Sequence, residues 1–173
     1  MLAVLRLGHR VGRDERISTH CGLVARALGA DKIIYSGDMD NGIIESIKKT
    51  AEAWGGKFSV SYEPNWRSVI KAYKKKGFVI AHLSMYGIPM QKKIRELRKK
   101  KKMLVIIGGE KVPSEVYHLA GYNIAVTSQP HSEVAALALL LHEYFSGKEL
   151  DKKFSKARLK IVPQERGKKV EKK

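Results

Sequence analysis

Apolar and polar positions along the chain follow two periods. Short, nearly continuous apolar runs predict buried strands at Leu2–Leu7, Lys32–Tyr35, Lys57–Tyr62, Phe78–Leu83, Met103–Ile107 and Tyr122–Val126. Longer segments with helical spacing lie between them, near Ser18–Leu28, Asn41–Trp54, Trp66–Lys76, Pro89–Lys100, Ser114–Leu119 and Ser132–Phe145. Gly29, Gly77 and Gly121 stand where three of these helices should stop. Continuous strands joined by crossover helices predict an α/β fold, a mostly parallel sheet with helices on both faces. No internal repeat and no second core is visible.

Two segments carry the ligand signal: Ile106-Ile-Gly-Gly-Glu-Lys-Val-Pro113 and Val126-Thr-Ser-Gln-Pro-His-Ser-Glu133. Each follows a strand and precedes a helix, the position of the ligand crevice in open α/β sheets. Gly108-Gly109-Glu110 lacks the spacing of a phosphate loop, and no dinucleotide fingerprint occurs elsewhere. An acidic residue beside exposed backbone groups suits a neutral or cationic ligand with ribose hydroxyls and an adenine edge. The run Val134–Leu141 that follows is apolar on nearly every side. Such a helix must be buried in the subunit or against a partner.

Charge changes the picture most. The chain has 173 residues, with 34 Lys+Arg against 17 Asp+Glu, a net of +17. The excess favours a polyanionic partner, most often nucleic acid; a charge-rich, heat-adapted surface is the bland alternative. Residues 147–173 carry +7 of that charge and read as a segment docked to about Pro163, then a flexible Lys-rich tail. A second basic block, Lys92–Lys102, holds eight Lys/Arg and one Glu, more than a helix C-terminus needs. The single cysteine, Cys21, rules out an internal disulfide and a multi-cysteine zinc site. His118, His131 and His142 with Glu133 and Glu143 match no zinc spacing, so no metal is expected. No signal peptide is indicated, and the eight-residue run Val134–Leu141 falls far short of the ~20 residues that span a bilayer. A cytoplasmic protein without membrane contact is expected.

In the first helix, Ile17, Cys21, Val24 and Leu28 form one apolar stripe, which places Arg26 on the opposite side near Gly22 and Gly29. The glycines suit close approach by another chain or a ligand, although Gly29 also reads as a helix stop. Ser18 and Thr19 read as caps. Ahead of the helix, Arg6, Arg10, Arg13 and Arg16 fall within eleven residues with little to pair them, and read as phosphate contacts. His9 reads as a polar loop residue.

These residues resemble the SPOUT class of S-adenosylmethionine-dependent RNA methyltransferases. His20-Cys-Gly-Leu-Val-Ala-Arg-Ala-Leu-Gly29 is similar to the first motif of the 2′-O-ribose branch, Ile107-Gly-Gly-Glu110 to the second, and Ser128–Glu143 to the third. His20 and Ser128 stand where that branch usually has Asn. The Leu-Arg-Leu-Gly-His-Arg opening, His82–Gly87, the Gly-x-Glu-Lys-Val-Pro stretch and Gln-Pro-His-Ser-Glu resemble a narrower group, the archaeal tRNA cytidine-56 2′-O-methyltransferases. The resemblance covers residues 1–162, leaving 163–173 as a tail, and implies a C-terminal trefoil knot and a homodimer. It implies an S-adenosyl-L-methionine pocket of Leu83, Gly108, Gly109, Glu110, Lys111, Val112, Val126, Thr127, Ser128, Gln129, Pro130, His131, Ser132 and Glu133. Arg26 would be the catalytic arginine, holding the target phosphate. The substrate would be tRNA, methylated on a cytidine ribose in the T-loop. A SPOUT base methyltransferase and a non-catalytic RNA-binding protein with a relic pocket are the alternatives.

Overall fold

The computed structural model describes residues 1–109 and 111–172, so Glu110, one of the expected cofactor residues, lies outside the described residues. Six strands form one parallel sheet: β1 Leu2–His9, β2 Lys32–Gly37, β3 Ser59–Tyr62, β4 Val79–Pro89, β5 Met103–Gly108 and β6 Tyr122–Ala125. Their order is β3-β2-β1-β5-β4-β6. Six helices connect or follow them: α1 Glu15–Ala27, α2 Asn41–Trp54, α3 Trp66–Lys75, α4 Met90–Leu97, α5 Ser114–Leu119 and α6 Glu133–Phe145. The doubly covered parallel sheet matches the apolar pattern.

The strand pleat sorts the core into two layers. Leu2 and Val4 of β1 face a layer built with α1, α2, α4 and α6, while Ala3, Leu5 and Leu7 face one built with α3 and α5. Because successive side chains point to opposite faces, Arg6 follows Leu2 and Val4 toward the α1/α6 layer. It is 1% exposed.

The buried face of α1 is turned from the expected stripe. Ser18, Cys21, Gly22, Ala25 and Arg26 are buried, whereas Ile17, Val24 and Leu28 are only partly covered. Gly22 explains the rotation. A Cβ there would stand 2.5 Å from the Tyr35 hydroxyl and 2.7 Å from Ile47 Cδ1, so the helix rides close on β2 and α2 through a side carrying no hydrophobic signal. The helix also starts earlier than expected, after Asp14. Ser18 does not cap it; its hydroxyl bonds His9 Nδ1 at 2.9 Å. Gly29, at φ +94°, is the stop after α1.

Two further differences concern boundaries. β4 continues past Leu83 to Pro89, with a register break between Leu83 and Ile88, and Gly87 lies so close to β6 that a Cβ would meet the Asn123–Ile124 backbone. The 162/163 tail boundary falls inside a hairpin, for β7 Leu159–Val162 pairs antiparallel with β8 Lys169–Lys172. No helix among the described residues is long and apolar enough to cross a membrane.

Candidate active site

The sheet order reverses beside β1, which leads the chain toward β2 on one side while its other neighbour, β5, leads toward β6. Crevices form at the carboxyl ends of strands around such a point. One of them, of about 610 Å³, lies at the ends of β4 and β5. Ile107, Gly108, Gly109 and Val112 form one side and Pro130–Glu133 with Ala136 another. His82–Tyr86 of β4 line it as well, with Tyr117 of α5 and Ile17 of α1. Gly108 lets the loop fold back, since a Cβ there would lie 2.7 Å from Val112 Cγ2.

The polar chemistry of this cleft is that of acceptors. His82 is fully buried, and burial holds its imidazole below the usual histidine range, opposed in part by Asn123. The ring is therefore neutral near neutral pH. Its Nδ1 donates to Asn123 Oδ1 at 3.0 Å, Asn123 Nδ2 donates to Tyr117 O at 2.8 Å, and the Tyr117 ring meets the imidazole edge-on at 4.6 Å. That fixes Nε2 as a lone-pair acceptor, buried and unbonded. Glu133, the first residue of α6, also keeps one buried carboxylate oxygen, Oε2, without a partner. The lining among the described residues contains no Lys or Arg. Two orphaned acceptors, apolar walls and no cation fit a donor-rich, positively charged ligand, and not a phosphate.

A second cleft of about 640 Å³ adjoins the first and has the opposite character. Arg6, Arg10, Arg13 and Arg16 line it with Asp14, His20 and Val134, and it shares Ile17, Gly109, Ser132 and Glu133 with the acceptor cleft. A third, about 410 Å³, gathers His9, Arg10, Arg13, Asp38 and Lys111. Arg13 and Arg16 are exposed there.

Arg6 is not a surface phosphate contact, contrary to the expectation. It is buried, and its guanidinium donates to Glu133 Oε1 at 3.0 Å with Asp14 Oδ2 at 3.7 Å. Asp14 in turn receives two hydrogen bonds from Arg10, at 2.8 and 3.0 Å, and those bonds hold its carboxyl below the usual carboxylate range. The reading that little pairs these arginines fails for Arg6 and Arg10, because their acids come from α6 and the start of α1.

Arg26 stands apart from both clefts. Nine residues beyond Ile17, it lies about 14 Å farther along the helix axis at 1.5 Å per residue. It is only 7% exposed, and its guanidinium donates to Gly55 O at 2.7 Å with the Phe154 ring over it at 4.8 Å. There it pins the 152–158 segment, where Gly56 N also donates to Ser155 O at 2.8 Å. Within this subunit Arg26 fastens the C-terminal segment and does not line the acceptor cleft.

Of the expected cofactor residues, Leu83, Gly108, Gly109, Val112, Pro130, His131, Ser132 and Glu133 line that cleft. Lys111 lines the neighbouring basic one, and Val126, Thr127, Ser128 and Gln129 line neither. Ile17, His82, Ser84, Met85, Tyr86 and Tyr117 were missed. The His82–Gly87 stretch was the available signal, since a strand ending in polar and aromatic residues beside a glycine marks a crevice wall. Among the described residues no group of three His, Cys, Asp or Glu is arranged to hold a metal.

Several solved structures share this fold. The TrmH/SpoU tRNA modifying enzyme of A. aeolicus superposes with a TM-score of 0.61 at 16% identity, covering 87% of this chain and 76% of that one. AviRb of Streptomyces viridochromogenes, a SpoU methyltransferase solved in complex with AdoMet, gives 0.59 at 15% identity, covering 86% and 57%. The fold is therefore that of the SpoU/TrmH methyltransferases. Residues 54–171 match the family profile described as tRNA ribose 2′-O-methyltransferase, aTrm56. The tRNA (cytidine(56)-2′-O)-methyltransferase of Methanopyrus kandleri is 53% identical over 168 residues, 97% of this chain and 94% of the relative. The chain belongs to that family.

Replacing Arg26 separates its two roles. Arg26→Ala removes a buried hydrogen bond and a ring contact, so urea unfolding should show a loss of about 1–3 kcal/mol, and the methyl-transfer rate of the folded fraction then reads the catalytic role by itself, a near-wild-type rate contradicting it. Unchanged stability with abolished transfer would support the catalytic assignment.

Proposed function

We propose that this protein is a cytoplasmic enzyme that transfers a methyl group from S-adenosyl-L-methionine to the 2′-OH of cytidine 56 in the T-loop of tRNA. The observation that carries the reading is the pair of adjoining clefts, one lined by acceptors without a cation and one lined by arginines. S-adenosyl-L-methionine is cationic and rich in donors, and it supplies an electrophilic methyl on sulfonium sulfur when bound. His82 Nε2 would accept from its hydroxyl or amine groups, and Leu83, Ile107, Val112 and Ala136 would cover its apolar parts. The backbone of Gly108 and Gly109, with no side chain to intrude, would take the ligand's edge. Arg10, Arg13 and Arg16 would hold RNA phosphates beside it. The target nucleotide rests on family membership, since nothing in the cleft's chemistry selects a position in tRNA.

A homodimer is part of this reading. On one side of α6, Ala135 and Leu139 are exposed and Ala138 and His142 only partly covered by the subunit, Leu139 being 47% exposed. An apolar helix stripe of this spacing suits a second copy of the same helix. The trefoil knot of the SPOUT class also belongs to the reading, supported by α6 returning from the β6 edge to pack on α1. A crystallographic trace of residues 78–145 that pulls straight from its ends would contradict it.

The direct test is transfer of labelled methyl to unmodified tRNA, followed by nuclease mapping with mass spectrometry. The expected product carries the methyl on the ribose of cytidine 56, whereas a methyl on a base, on another nucleotide, or on none overturns the reading. For the dimer, light scattering at micromolar concentration should give about twice the 19.4 kDa chain mass, and Leu139→Glu should halve it. A monomeric mass for the unaltered protein would contradict the dimer.

A further inference from the structure

Glu133 is the only titratable residue, among those described, in the wall shared by the two clefts; its companions there are Ile17, Gly109 and Ser132. The side chain is 8% exposed. Its two oxygens differ in state: Oε1 accepts from Arg6 at 3.0 Å, and Oε2 is buried with no partner. A carboxylate serving only to balance Arg6 would be held by two parallel hydrogen bonds, the stronger arrangement. Here Arg6 leaves Nε and its other terminal nitrogen buried and unbonded, so the material for a second bond is present and unused. Glu133 is thus tethered through one oxygen, and the other keeps its lone pairs unused in a residue that lines both clefts.

We propose, resting on the methyltransferase reading above, that Glu133 Oε2 is the general base that takes the 2′-OH proton of the target ribose. In the step, the 2′-oxygen bonds to the methyl carbon while the carbon–sulfur bond breaks, the sulfur keeping that electron pair as a neutral thioether. The 2′-OH proton passes to Oε2, and Glu133 becomes a neutral carboxylic acid that later releases the proton to water. A carboxylate is too weak a base to strip an alcohol beforehand. As the new carbon–oxygen bond forms, however, the oxygen turns strongly acidic, so a nearby weak base suffices late in the step. Arg6 holds Glu133 through Oε1 at the start of α6. The other groups at the junction fit the role less well. Arginines hold their protons too tightly to act as bases. His20 lines only the arginine cleft, while His82 and His131 line only the acceptor cleft.

Glu133→Gln keeps the size of the side chain and an acceptor for Arg6. Single-turnover transfer at saturating S-adenosyl-L-methionine and tRNA should slow by about 100-fold or more, with calorimetric cofactor affinity and tRNA affinity within about threefold and melting little changed. In the unaltered enzyme the rate should fall tenfold per pH unit once the carboxylate protonates, and the Gln variant should lack that acid limb. Arg6, Arg10, Arg13, Asp14, Arg16 and His20 of the arginine cleft and His82, Tyr86, Tyr117 and His131 of the acceptor cleft are retained in the variant, so a limb arising from them would persist. Formate should restore transfer to Glu133→Ala by filling the vacated space with a free carboxylate. A Gln variant keeping more than a third of the rate overturns the proposal. So does one that loses cofactor affinity yet transfers normally at saturation, which would make Glu133 a ligand of the cofactor's ammonium. If both variants unfold, the pH profile of the unaltered enzyme decides, and absence of an acid limb overturns the proposal. An unaltered enzyme that methylates no tRNA ribose would instead sink the functional reading beneath it.

Discussion

A guanidinium in the layer between sheet and helices is the constraint around which the site is arranged. Arg6 sits on a central strand with its side chain turned into the α1/α6 layer, 1% exposed. An ion taken out of water there carries a penalty of several kcal/mol unless it is paired. The pairing comes from Glu133, 127 residues away at the start of α6, and from Asp14 at the start of α1, itself held by Arg10. One buried cation therefore fixes the N-termini of both helices against β1. Those two termini are the walls of the acceptor cleft and the arginine cleft, so the demand for charge balance in the core also sets the geometry of the chemistry.

The same arrangement sorts ligands by charge. Cations gather on the α1 side of the junction and the orphaned His82 Nε2 lies on the β4 side, with Gly109, Ser132 and Glu133 between them. The first wall suits a polyanion and the second a cationic ligand, and the two clefts adjoin along Ile17, Gly109, Ser132 and Glu133. His82 belongs to this sorting, because burial keeps it neutral and Asn123 fixes which nitrogen faces the cleft.

Strands and helices were legible in the sequence because each buried strand is a continuous apolar run and each helix repeats near 3.6. The site was legible where loops follow strands, at Gly108–Gly109 and Pro130–Glu133. It was misread where a residue's role depends on a distant partner. Arg6 lay within the Leu2–Leu7 strand, and its place in a strand covered on both faces already implied burial; the run of neighbouring arginines drew the reading to the surface instead. Arg26 was placed by an apolar stripe that the close-riding Gly22 face displaces. The C-terminal hairpin was hidden by its lysines, since only Leu159, Ile161, Val162 and Val170 carry an apolar signal.

The central claim is that Arg6 and Glu133 act as one unit. A double-mutant cycle of Arg6→Met and Glu133→Leu, read by urea unfolding, measures it. Each single change should cost about 3–5 kcal/mol by leaving a buried charge or a buried polar group unpaired, and the double variant should cost less than the sum by about 2 kcal/mol or more. Costs that add to within about 0.5 kcal/mol would contradict the account, because the two side chains would then be independent.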